Sequence, residues 1–186
     1  MERMTNIKNL ANRKILTTMS VVMLISSLVM TTVWQIPQAT ATSLEEIKVS
    51  REVSAPVDQV WNIVSDVDNE TQCWPTFKTI KNINKTDKLI EREVTLIAGP
   101  QGDTKTHQFV TVNPQQFVVE MNITEGPVTG TRVLTLSSSP HNNTTKIDAV
   151  WKIDLTGIPV LGRGFAKDGI TKTTEEALGK IAQAAE

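Results

Sequence analysis

The chain has 186 residues, with 19 Lys plus Arg against 20 Asp plus Glu and a formal charge of −1. That size fits one domain with a short extra segment, and that charge excludes a strongly basic nucleic-acid binder. One cysteine, Cys73, excludes an internal disulfide and a multi-cysteine zinc site, and two histidines, His107 and His141, leave little for a histidine metal centre. No metal or cofactor is expected.

The amino-terminal segment differs from the rest. Arg3, Lys8, Arg13 and Lys14 precede a run without charge from Ile15 to Leu44, apolar mainly over residues 15–36 and followed by Ala39-Thr40-Ala41. A basic start, an apolar stretch and an A-x-A-type site predict a secretory signal covering residues 1–41. The competing expectation is a retained anchor through residues 15–36, because about 20 apolar residues span a bilayer and the preceding positive charges would keep the amino terminus in the cytoplasm. A cytosolic amphipathic start is the third reading. The first two both place the remaining chain outside, secreted or anchored on the outer face of the cytoplasmic membrane. Residues 42–46 read as a tether and residues 47–186 as the domain. Without residues 1–41 the charge is −4, from 15 basic and 19 acidic residues, which disfavours anionic partners.

Residues 47–53 alternate as a strand. Ser54-Ala55-Pro56 ends it and starts a helix, since proline is accepted in a first helical turn. Val57, Val60, Trp61, Val64 and Val67 follow on one helical face. The polar, broken stretch from Asp66 to Trp74 reads as a short connecting helix or loop ending at Pro75. Beyond it the period becomes two, giving strands at 77–84, 89–98, 104–112, 117–123, 129–137 and 144–155. Hairpin-length connections such as Lys85–Lys88 and Gly126-Pro127 make this an antiparallel meander of about seven strands. One strand face is apolar and the other polar, so one face needs a cover. Residues 159–185 supply it, with Ala166, Ile170, Thr174, Ala177, Ile181 and Ala184 at helical spacing. Gly162, Gly164 and Gly169 predict a loose or bent entry to that helix.

Threonine is frequent, which suits strand faces that meet water. Asn-x-Thr occurs at Asn69, Asn84, Asn122, Asn142 and Asn143. These are candidate glycosylation acceptors if the chain is exported, although a chain rich in both residues makes such triplets by chance.

Val53-Ser54-Ala55-Pro56-Val57-Asp58-Gln59-Val60-Trp61, Ser65-Asp66-Val67, Trp74-Pro75 and Gly157-Ile158-Pro159 mark the boundaries of these elements. With the order of elements, these residues resemble the START-like (SRPBCC) superfamily, and more narrowly its polyketide cyclase/dehydrase and lipid transport family. The resemblance implies an α+β helix-grip: a curved antiparallel sheet wrapped around a long carboxy-terminal helix, with an apolar cavity for a hydrophobic ligand between them. It does not choose among functions, because this fold carries lipid carriers, hormone receptors, cyclases and ubiquinone-binding proteins.

Little in the sequence points to catalysis. No G-x-S-x-G is present and neither histidine sits in a recognisable motif. Glu91 and Glu93 share one strand face and read as a solvated outer pair rather than paired catalytic carboxylates, which turns Arg92 inward with Ile90 and Val94. Arg51 shares parity with Ile47, Val49 and Val53. An inward arginine needs a partner or a ligand carboxylate, so Arg51 and Arg92 are candidate ligand anchors. Trp74, Phe117, Met121, Leu134, Trp151 and Phe165 are candidate pocket walls, with ordinary packing as the alternative for each. Trp61 and Cys73 read as packing residues. The expectation is a carrier or binding domain for a hydrophobic small molecule or lipid, with no nucleic-acid partner and no assigned oligomeric state. The rivals are a cyclase/dehydratase-type enzyme in the same cavity and a structural module with a filled interior.

Overall fold

Alternating strands place every second side chain on one face, and those faces form a single buried layer here. In the computed structural model, which describes residues 44–97, 102–139 and 143–186, seven strands form one antiparallel sheet in the order β1-β7-β6-β5-β4-β3-β2. They are β1 Glu45–Val53, β2 Phe77–Lys85, β3 Ile90–Leu96, β4 Thr104–Asn113, β5 Val118–Glu125, β6 Thr129–Ser139 and β7 Thr144–Asp154. Two helices accompany them, α1 Val57–Val64 and α2 Val160–Ala185, with a 3-10 helix at Val67–Gln72 between α1 and β2. This is the expected helix-grip: an open, curved sheet closed on one side by its last helix. The expected signal or anchor at residues 1–41, including the stretch 15–36, lies outside the described residues, as do His141 and Asn142. Among the described residues no helix is long and apolar enough to cross a membrane.

Inward parity builds the core. Ile147, Ala149, Trp151 and Ile153 on β7 are buried, as are Val119, Met121 and Ile123 on β5. Register shifts at Phe77/Thr79 and Asn82/Asn84 in β2 and at His107/Gln108 in β4 bend the sheet. At Gly130 a Cβ would lie 2.2 Å from the Lys152 carbonyl oxygen, and φ is +125°, so only glycine lets β6 run this close to β7. β1 starts two residues earlier than the alternation from Ile47 predicts. Phe117, expected to open β5, instead precedes it with φ of 52° and packs edge-on against Trp61, their ring centres 5.5 Å apart.

α2 runs as one continuous helix from Val160, its three early glycines included. Its two halves nevertheless differ. All its buried residues, Thr174, Ala177, Leu178, Ile181, Ala182 and Ala185, lie in the second half. That half is held by α1 and the turn before it: Gln59 Nε2 donates to the Ala185 carbonyl at 2.7 Å, and the Ser54 amide donates to Oε1 of Glu186, just past the helix, at 3.1 Å. The first half stands off the sheet, and the gap beneath it is a cavity.

Candidate functional site

A cavity of about 480 Å³ lies between the sheet and the first half of α2. Phe77, Leu96, Met121, Ile123 and Trp151 supply its sheet side, Trp74 one end, and Ala166, Gly169 and Ile170 its helix side. Ile97, Pro127 and Val128 complete it. The volume and apolar walls are those of small-molecule sites, which run to about 300–1,000 Å³.

Four polar side chains of this wall are paired, while Thr76, Thr104 and Thr173 add hydroxyl groups to it. Gln108 Nε2 donates to Thr106 Oγ1 at 2.9 Å, and Thr106 Oγ1 donates to the Val94 carbonyl at 3.4 Å. Trp151 Nε1 donates to Thr174 Oγ1 at 3.1 Å, which in turn donates to the Ile170 carbonyl at 2.7 Å. No acid or base lines the cavity among the described residues.

Beside the cavity lies a buried charge cluster. Glu70, on the 3-10 helix, accepts from Arg92 Nη2 at 2.5 Å through Oε2 and from Arg132 Nη2 through Oε1. Both guanidinium groups have 0% exposed surface. Arg92 is fully partnered: Nε donates to Gln108 Oε1 at 3.1 Å and Nη1 to the Val67 carbonyl at 2.8 Å. Arg132 is not, because its Nε and Nη1 have no hydrogen-bond partner. Its guanidinium lies 4.1 Å from the Trp74 ring centre and 5.7 Å from that of Trp151. Burial pushes the Glu70 carboxyl up, but the two guanidinium groups outweigh burial and hold it below its ordinary value. For Arg132 burial is the larger influence and pulls the group down against the attraction of Glu70.

A second cavity, of about 320 Å³, opens between α1, the 3-10 helix and α2, bordered by Glu70, Trp74, Leu134 and Ile181. Trp74 borders both cavities.

The residues singled out from sequence fall into distinct places. Trp74, Met121 and Trp151 line the larger cavity and Leu134 lines the smaller one. Phe117 packs on Trp61. Phe165 is 81% exposed, on the stretch of α2 that also carries Ala166 and Gly169. Arg51 is exposed beside Gly179 of α2, while Arg92 points inward into the charge cluster. Glu91 and Glu93 are on the outer face with His107 and Lys105, at 3.0 and 2.8 Å. Asn69, Asn84, Asn122 and Asn143 are exposed. No group of three or more metal-ligating side chains occurs among the described residues.

Sequence reasoning passed over Glu70, Arg132 and Gln108. Arg132 shares parity with Leu134 and Leu136, and Gln108 with Val110, so alternation marks both as inward. Glu70 carries no such mark, because a 3-10 turn in a polar stretch has no apolar rhythm to read.

Comparison with known proteins agrees with this architecture. Residues 45–186 match the family model described as polyketide cyclase/dehydrase and lipid transport. Among solved structures, the ZhuI aromatase/cyclase from Streptomyces sp. R1128 superposes with a TM-score of 0.67 at 13% identity, covering 76% of this chain and 93% of that one. TTHA0849 from Thermus thermophilus gives 0.66 at 12% identity, over 76% of this chain and 97% of that one. The di-domain aromatase/cyclase StfQ of the steffimycin pathway gives 0.57 at 14%, over 75% of this chain and 44% of that one. At these identities the structures share the fold. No curated protein matches the chain in sequence.

Proposed function

The chain belongs to the polyketide cyclase/dehydrase and lipid transport family, and from that premise we propose that its domain is a non-catalytic binder and carrier of a hydrophobic small molecule or lipid, working outside the cytoplasmic membrane. The observation that carries this reading is the 480 Å³ cavity, walled by apolar side chains with uncharged polar groups and no titratable side chain among the described residues. Acid–base catalysis needs a titratable group within hydrogen-bond reach of the substrate, and this wall supplies none among the described residues. A filled structural module would lack the cavity. The sequence pattern of residues 1–41 supports export or anchoring. An apolar rim supports exchange with lipid: Val160, Leu161 and Phe165 are 73, 91 and 81% exposed at the start of α2, and Ile97 is 55% exposed.

Organic extraction or native mass spectrometry of the protein isolated from its own membrane or secretome tests the reading. A co-purifying hydrophobic compound is expected, and adding such compounds to stripped protein should raise its melting temperature. Protein that carries nothing and whose melting ignores a panel of hydrophobic ligands would rule out the carrier. Amino-terminal sequencing of the same sample tests export: a start near Thr42 shows cleavage and a Met1 start in the membrane fraction shows an anchor. A Met1 start in the soluble cytosol would reject export.

A further inference from the structure

The buried cluster holds two arginines and one carboxylate, so it carries one positive charge more than it neutralises. Asp68, on the same 3-10 helix, does not correct this, being bonded at the surface to Lys85 at 2.5 Å and Asn82 at 2.8 Å. The surplus falls on Arg132, whose Nε and Nη1 donors are buried without a partner. Leaving such donors unmet inside a protein is costly, and an unneutralised charge more so. Hydrophobic replacement of such clusters is often neutral or stabilising, so stability alone does not explain a second buried arginine.

The position of Arg132 suggests a use. Across the strands it is paired with Met121 on one side and Trp151 on the other, and both line the larger cavity. The indole lying over its guanidinium is Trp74, the end wall of that cavity. Trp74 also borders the smaller cavity, and Arg132 itself lines neither cavity. A displacement of Trp74 is therefore what would join the free donors of Arg132 to the larger cavity.

We propose that Arg132 anchors a ligand carboxylate, so that the ligand is an apolar-tailed carboxylic acid with its tail in the larger cavity and its head at the buried cluster. This rests on the cavity being the ligand site. Arg92, the inward arginine that strand parity singles out, is not the anchor, because all its nitrogens already have partners. An entering carboxylate brings the missing negative charge, converting two cations and one anion into two of each. Trp74 acts as the partition between tail chamber and head site.

The test compares decanoate with methyl decanoate on the full chain, held in a neutral maltoside micelle, for wild type and Arg132→Met. Taking the variant-to-wild-type ratio for each ligand cancels partition into the micelle. Arg132→Met leaves the neutral pair Arg92–Glu70, so the fold is expected to persist, checked by circular dichroism. Decanoate binding should weaken on the order of tenfold or more, the size of a charge-assisted contact, while the ester changes by less than about twofold. Equal loss of both ligands, or loss of neither, overturns the proposal. A second measurement needs no variant: the pKa of wild-type-bound decanoate, isotope-labelled at its carboxyl carbon and followed by NMR. A guanidinium partner lowers it below the free value and an apolar wall raises it. A raised value overturns the proposal and leaves the carrier reading standing. Failure of wild type to bind either ligand removes the anchor and, with the extraction result above, the carrier as well.

Discussion

Glu70 is 6% exposed between two guanidinium groups, and its charge is what makes their burial tolerable. Glu70→Ala would strand two cations in the interior, and a loss of about 3–5 kcal/mol is expected in urea denaturation at neutral pH. The pH dependence has a definite sign. Its folded carboxyl titrates below the ordinary value of 4.5, so its contribution is complete above that value and disappears as pH falls through the folded one. Wild type should therefore lose stability progressively below about pH 4.5, and Glu70→Gln should start lower at pH 7 but decline less steeply on acidification. Equal slopes for the two proteins would show that the acid sensitivity arises elsewhere. How far this cluster can be read in advance follows from local geometry. Arg92 and Arg132 lie on strands whose alternation turns them inward, whereas Glu70 meets them only because the 3-10 turn folds over the sheet. Pairing between residues 22 and 62 apart in sequence is a tertiary fact that no local pattern carries.

Among the elements, strands were legible because alternation is the physical requirement for a sheet with one dry face. The two helices were legible through Ala55-Pro56 with its valine stripe and through the spacing of Ala177 and Ile181. The continuity of α2 through its glycines was not. Gly162, Gly164 and Gly169 weaken a helix intrinsically, but each adopts helical backbone here, and fixing the second half of α2 against α1 carries the first half along. Glycines in this protein thus divide into two kinds with opposite responses. Gly164→Ala, where an added Cβ meets nothing within 4 Å, should stabilise by up to about 1 kcal/mol by favouring helix. Gly130→Ala drives a methyl group into the backbone of β7 at Lys152 and should destabilise by about 2–3 kcal/mol. Thermal denaturation of the two single variants would show midpoints moving in opposite directions, and a neutral Gly130→Ala would mean that β6 and β7 can separate locally without cost.

At the scale of the whole domain, the two ends of the sheet do different work. One end is tied shut by α1 against the last turn of α2. At the other, β1 begins, β7 ends and the β5–β6 turn with Pro127 and Val128 shares the cavity wall with the first half of α2, which adds the partly buried Ala166 and Ile170 and the ion pair of Lys167 with Glu45 at 3.0 Å. Val160, Leu161 and Phe165 project into solvent there, a concentration of large exposed apolar groups that costs solubility without adding to the core. If the rim serves transfer of ligand to lipid, removing it should slow release without altering affinity, since none of the three residues lines the cavity. Leu161→Ser with Phe165→Ser should leave the melting temperature and the affinity for a fluorescent fatty acid near wild type. Stopped-flow transfer of that probe to phosphatidylcholine vesicles should fall by about a hundredfold, or to the rate of release through water if that is faster, because two apolar side chains at about 1.5 kcal/mol each are lost from the lipid surface. The wild-type rate should rise with vesicle concentration, as collision requires, and the variant's should become independent of it, as release through water requires. An unchanged rate and an unchanged dependence would show that these residues have no part in exchange.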